Sequence, residues 1–366
     1  MKSQAESLYV HIPFCEHICR YCDFSKVLFE EKWAFPYVQQ LEKEILSFNI
    51  SKGSLNTIYV GGGTPSCLPS SLLESLLSFL YPYLKEGGEF DLEGNPESLS
   101  LEKLLLIKKC GVNRLSIGVQ SSDPALLAFM GRKHDFLMAK RSVEDAKKAG
   151  FDNISCDLIY GLPNESDATL AKDIDSLLSL DVDHLSTYCL SVSPGTYFYS
   201  HKVQEMDQNL AGGQYELILK RLREAGYDRY EVSNFARNGK KSRHNLVYWK
   251  DEQYYGAGLG ASGYLGKTRY TNTKNLDSYL KGEREGSKDV LDEKGELEDY
   301  FLTNLRLEEG FSLKSFKERF GFEFAERYHE ALKKPLQEGL AVFGPDSFKA
   351  TDKGILLLDR LLLALY

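Results

Sequence analysis

The sequence lacks an excess of positive charge, a long apolar run and an even set of cysteines. Lysine and arginine total 45 against 53 acidic residues, a formal net charge of −8, so nothing electrostatic recruits a nucleic acid. Nowhere do about 18 uncharged apolar residues follow one another, the least a membrane-spanning helix needs. Residues 355–358 and 361–366 are apolar, but Asp359 and Arg360 part them, and together they read as an amphipathic terminal helix. The opening MKSQAESLYVHIPF has neither the basic start nor the apolar stretch of a secretory signal. Seven cysteines, with three crowded into eight residues, argue against a secreted disulfide framework. No internal repeat or low-complexity tract stands out. The expectation is a protein of a reducing compartment, the cytoplasm, with no nucleic-acid partner and no integral membrane segment. At 366 residues, 42% hydrophobic and 27% charged, the chain suits one large domain and a small one.

Strand-like runs at 8–13, 57–61, 89–93, 114–119, 154–159 and 184–190 alternate with helix-like runs at 32–48, 70–84, 101–110, 136–149 and 168–180. Gly111 and Gly150 directly follow two of these helices, as C-terminal stops do. Six strands separated by helices imply right-handed parallel crossovers, so the expected core is α/β, an incomplete parallel (β/α)6-type barrel. Polar and glycine residues gather where the strands end: Gly61 to Gly63, Glu93, Gln120, Asp157 and Ser191. That is the end at which parallel α/β folds build sites. Residues 281–297, rich in charge and glycine, read as a linker between a core of 1–280 and a C-terminal unit of 298–366. The last unit, with short helices and a hairpin-like piece at 340–349, is expected to be a small, mainly α, winged-helix-like domain.

The chemistry begins at HIPFCEHICRYCDFSK, residues 11–26, where Cys15, Cys19 and Cys22 are spaced C-x3-C-x2-C. Thiolates are soft ligands that suit zinc or iron–sulfur clusters. A closed zinc site wants four ligands, and a [4Fe–4S] cluster usually has four thiolates. With three, one iron stays open to an exogenous ligand. Zinc completed by His11 or His17, or plain buried cysteines, remain alternatives for the trio alone. Gly61, Gly62 and Gly63 follow a strand, where missing side chains let backbone N–H groups approach a ligand; a tight turn is the other reading. They do not form the dinucleotide pattern G-x-G-x-x-G. Glu93, at a strand end, suits an ammonium or a ribose hydroxyl. Cys67, Cys110, Cys156 and Cys189 read as core packing.

The block LYVHIPFCEHICRYCDF is followed in order by YVGGGTPS, EGNPE, GVNRLSIGVQS, GRKH, DLIYGLP, YCLSVSPGT and YEVSNFARNGKKSRHNLVYW. This series resembles the radical S-adenosylmethionine (SAM) superfamily, and within it the oxygen-independent coproporphyrinogen III oxidase-like family, over residues 7–366. The resemblance implies a radical SAM barrel in which Cys15, Cys19 and Cys22 hold a [4Fe–4S] cluster, with SAM completing the fourth iron. It also implies SAM contacts from Tyr9, Tyr21, Gly62, Gly63, Thr64 and Glu93, and from Gln120, Arg132, Asp157, Ser191 and Tyr264. The family's oxidases carry a fourth cysteine two residues after the third; here that position is Phe24, as in the haem-chaperone branch.

HNLVYW, at 244–249, also resembles that branch, and implies haem as a further ligand. His244 would then bind the haem iron, Tyr248 and Trp249 lie along the porphyrin, and Lys241 and Arg243 meet its propionates; ordinary packing, with Tyr248 and Trp249 simply buried, is the other reading. GLGASGY, at 258–264, departs from the pattern, with Ser262 where the branch carries histidine. The expected function is a haem chaperone that passes haem to acceptor haemoproteins. The alternative is an enzyme that decarboxylates coproporphyrinogen III to protoporphyrinogen IX, and a zinc-stabilised binding protein stands third.

Overall fold

Alternation of apolar and polar residues along much of each strand builds the central sheet. Its strands are β1 (Ser7–Ile12), β2 (Leu55–Gly62), β3 (Leu84–Gly94), β4 (Arg114–Gln120), β5 (Ile154–Tyr160) and β6 (His184–Cys189). The computed structural model describes residues 5–366; the first four, part of the stretch read for a secretory signal, lie outside them. Side chains point to opposite faces along a strand. Leu8, Val10, Ile12, Ile58, Val60, Phe90, Leu92, Leu115 and Ile117 therefore share the outer face and are fully buried. They pack against helices that return the chain between strands, such as Glu31–Ser47, which presents Tyr37, Val38, Leu41 and Ile45 at helical spacing.

Neighbouring strands run parallel in chain order from β1 to β6. Tyr255–Ala257 extends the sheet in parallel beyond β1, while Asn234–Ala236 and Asp228–Arg229 continue it antiparallel beyond β6. The sheet ends at these two edges. The barrel is incomplete, as expected.

The inner face is polar. Arg114 and Asp91 form a buried ion pair inside the wall, and the Ser116 hydroxyl donates to Asp157 at 3.3 Å. The short helix Arg243–Trp249 packs against this interior where the strands begin, its N-terminus capped by Ser242. Glu89 accepts from the backbone N–H groups of Arg243 and His244 at 3.0 and 2.9 Å.

The C-terminal part packs helices around a three-stranded antiparallel sheet of Phe311–Ser312, Ser347–Ala350 and Ala341–Phe343. Phe301, Phe311, Phe316, Phe324 and Phe348 form its buried aromatic centre. This is the expected winged-helix-like arrangement.

Two elements differ from the sequence reading. The helix expected over 70–84 ends at Leu80, because Pro82 cannot continue the helical hydrogen bonding; Leu84 then opens β3, earlier than expected. The presumed linker 281–297 contains a strand, Glu285–Val290, paired with Thr268–Asn272, and the helix Glu293–Asn304 begins within it. All six residues of that strand are exposed, so its charged, glycine-containing composition is that of a solvated sheet edge.

Candidate cofactor site

The C-terminal ends of the strands open into a pocket of about 300 Å³. The segment between β1 and the first helix forms one side, held by pairing of Phe14–Cys15 with Val27–Leu28. His11, on the inner face of β1, anchors it further. Its Nε2 donates to the Ser25 carbonyl at 2.6 Å, while its Nδ1 accepts from the Tyr9 hydroxyl at 2.9 Å. Burial lowers this imidazole to about 4, so it is neutral at physiological pH.

Cys15, Cys19 and Cys22 all line the pocket. Burial pushes the Cys15 thiol up to about 11, and Arg132 Nη1 donates to Cys19 Sγ at 3.4 Å. Among the described residues, no three His, Cys, Asp or Glu side chains converge as they would around a bound metal ion. The thiols share a pocket without closing on one point.

The opposite wall carries the acids. Glu93 accepts from the Tyr59 hydroxyl at 2.5 Å and the Gly62 N–H at 2.8 Å, yet burial lifts it to about 7. Burial likewise lifts Asp157 to about 6, against the pull of the Ser186 and Ser116 hydroxyls. Arg132 Nη2 donates to Asn95 Oδ1 at 2.8 Å and to the Gly118 carbonyl at 2.7 Å. Its Nε is buried without a partner, a donor left over for a ligand. Gln120 closes β4 with φ of 69°, a left-handed conformation that costs a non-glycine residue roughly 1–3 kcal/mol and that clusters at functional sites.

Thus Tyr21, Gly62, Gly63, Thr64, Glu93 and Gln120 border the same pocket as the three thiols, as do Arg132, Asp157 and Ser191. The glycines act differently from expectation. The N–H of Gly62 goes to Glu93, that of Gly63 to the Ile12 carbonyl at 2.8 Å and that of Thr64 to the Phe14 carbonyl at 2.8 Å. These amides are not free donors. The glycines are required by crowding: a Cβ at Gly62, whose φ is +110°, would lie 2.3 Å from the His11 ring, and one at Gly63 2.7 Å from the Pro13 backbone.

Three expected site residues lie elsewhere. Tyr9 is outside the pocket lining and stacks on Tyr59, with ring centroids 6.1 Å apart. Tyr264 is buried on the strand Ser262–Leu265 beneath Arg269, 4.3 Å from its ring centroid. His244 is fully buried with both ring nitrogens engaged, Nδ1 with Thr57 Oγ1 at 2.7 Å and Nε2 with the Tyr248 hydroxyl at 2.7 Å. It has no nitrogen to offer an iron. Arg243 donates to the Gly87 carbonyl and Lys241 sits over the Tyr230 ring; both side chains are exposed and lie outside the lining of the thiol pocket.

Cys189 also departs from expectation, being exposed at the pocket wall. It takes the second of two consecutive exposed positions at the end of β6, where alternation breaks down. Asn95, Lys26 and Tyr188, not singled out in the sequence, join the lining. Asn95 had a signal: it directly follows a strand-end glycine within EGNPE. It bridges the two walls, accepting from Arg132 and donating to Thr64 Oγ1 at 3.0 Å.

An open parallel barrel with three thiols at its mouth is the arrangement of a radical SAM protein, and residues 9–177 match the Radical SAM superfamily. Residues 291–357 match the HemN C-terminal domain. The chain is 39% identical to a protein named "Heme chaperone HemW" from Lactococcus lactis subsp. lactis (strain IL1403), over 97% of this chain and 95% of that one. A protein of the same name from Bacillus subtilis (strain 168) is 37% identical, over 96% and 97%. The chain belongs to this HemW family within the radical SAM superfamily.

In fold it is similar to the coproporphyrinogen III oxidase HemN from Escherichia coli, with a TM-score of 0.83 and 22% identity over 98% of this chain and 89% of that one. Membership of the superfamily implies a [4Fe–4S] cluster and SAM. Three soft thiols beside a buried arginine with an unused donor fit that pair. Among the described residues, no helix is long and apolar enough to cross a membrane.

Proposed function

We propose that this chain is a haem chaperone. It carries a [4Fe–4S] cluster on Cys15, Cys19 and Cys22, binds SAM in the adjoining pocket, and passes haem to acceptor haemoproteins in the cytoplasm. One observation carries the reading: near-full-length similarity to proteins named for haem delivery, at 39% and 37% identity. Phe24, standing where the family's oxidases have a fourth cysteine, supports it.

In this reading each pocket residue has a task. The unpartnered Nε of Arg132 meets the SAM carboxylate by a charge-assisted hydrogen bond. Glu93 receives the ammonium, Asp157 a ribose hydroxyl, and Tyr21 packs beside the adenine, with Gln120, Ser191, Gly62, Gly63 and Thr64 shaping the remaining wall. A bound cluster and SAM supply one-electron chemistry, while the chain supplies orientation and a sheltered cavity. Haem rests on groups other than His244. The barrel core of 1–280 and the unit of 298–366 act as separate functional parts.

The test is to reconstitute the cluster without oxygen, then offer coproporphyrinogen III and haemin separately. Haem retained stoichiometrically and released to an apo-haemoprotein, with no protoporphyrinogen IX formed, supports the chaperone. Formation of protoporphyrinogen IX selects the oxidase instead.

A further inference from the structure

Lys26 lies at the end of the cysteine segment and lines the same pocket as all three thiols. Its Nζ donates to the backbone carbonyl of Cys22, and among the described residues it forms no ion pair with a carboxylate. Its charge acts on the thiols of both Cys15 and Cys22, in each case favouring the thiolate. The third thiol, Cys19, has its own cation, Arg132, at 3.4 Å. Two cations from different parts of the chain, Lys26 at the Cys22 carbonyl and Arg132 at the Cys19 thiol, thus line the pocket that holds the trio.

Opposing charges are few but near. Asp23 acts on Cys22 in the opposite sense, and its carboxylate accepts from the Ser193 hydroxyl at 3.3 Å. Glu93 and Asp157 line the far wall.

We propose that Lys26 is a positioning residue for the cluster, whose ammonium charge raises the cluster's reduction potential. The proposal rests on the reading of the three cysteines as cluster ligands. A [4Fe–4S] unit held by three thiolates is anionic and gains one further negative charge on reduction. Cluster potentials follow net charge, hydrogen bonding and exposure. A fixed cation in a partly enclosed pocket stabilises the more negative state, so reduction becomes easier. Among the described residues, Lys26 and Arg132 are the lysine and arginine that line the pocket, with His17 also in the wall, and Arg132 is committed to Cys19, Asn95 and the Gly118 carbonyl.

The experiment compares the parent with Lys26→Arg, Lys26→Gln and Lys26→Met, each reconstituted without oxygen. Iron and sulfide are measured first, and then the midpoint potential by a redox titration followed by electron paramagnetic resonance, without SAM. Gln keeps a donor for the Cys22 carbonyl but drops the charge, which separates the two roles of the side chain. The expected result is an intact cluster in all four proteins. At the parent's midpoint the reduced-to-oxidised ratio then falls about tenfold in Gln and Met, about 59 mV for one electron, while Arg stays with the parent. Loss of the cluster in Gln but not in Arg also supports a need for charge. A Gln potential equal to the parent's overturns the proposal, and so does loss of the cluster in both Arg and Gln, which would assign Lys26 to loop shape. A parent that takes up no iron defeats the cluster reading itself, a failure seen before any potential is measured.

Discussion

His244 stacks on Tyr59 with ring centroids 5.1 Å apart and joins Thr57 to Tyr248 through its two nitrogens. Burial lowers it to about 3 from an ordinary 6.5, so the folded protein holds it neutral. Between those values the unfolded chain binds more protons, and stability therefore rises with pH across the window. The contribution is complete above about 6.5 and is lost as pH falls toward 3. His244→Ala strands the Thr57 and Tyr248 hydroxyls, which predicts a loss of about 2–4 kcal/mol in urea unfolding near neutral pH, with a smaller loss at pH 5. Cluster content per folded molecule should stay as in the parent. At this scale the meeting of the three cysteines in one pocket was legible from their crowding into eight residues, though the trio alone left zinc open. So was that of Glu93 and Gln120, at strand ends; Asp157 reaches the same pocket from the middle of its strand. The role of His244 was not legible: a run such as HNLVYW records aromatic content but not that a threonine 187 residues away occupies the imidazole.

At the scale of elements, Asp251 ties three parts of the chain together. Fully buried at its side chain, it pairs with Arg269 of the strand Thr268–Asn272 and with Arg319 of the helix Leu313–Phe320, each at 2.6 Å. Arg229 makes a second tie, to Glu308 and Asp352. Asp251→Ala leaves two arginines facing each other without their shared anion. Both retain some exposure, so the expected loss is about 1–3 kcal/mol, below the range for a fully buried pair. It should appear as faster proteolysis within residues 281–366 than in the barrel. The barrel strands could be read in advance because a half-polar inner face enforces alternation from β1 onward. The strand Glu285–Val290 could not, since an edge exposed along its whole length carries the composition of a linker.

On the scale of the whole molecule, an open barrel gathers the ends of its strands around three thiols, and the C-terminal part packs beside it through the Asp251 and Arg229 ion pairs. On the proposed reading, a bound ligand takes the place that a fourth clustered cysteine would fill. The wall opposite supplies acids, an arginine with an unused donor and a strained Gln120, all suited to a ligand that would complete the set. Electron paramagnetic resonance of the reduced, reconstituted protein, recorded with and without excess SAM, tests this claim most directly. The account predicts a [4Fe–4S] signal that changes when SAM is added and that disappears in Cys15→Ala, Cys19→Ala and Cys22→Ala. A reduced signal indifferent to SAM, or stoichiometric zinc with no iron after anaerobic reconstitution, would contradict it.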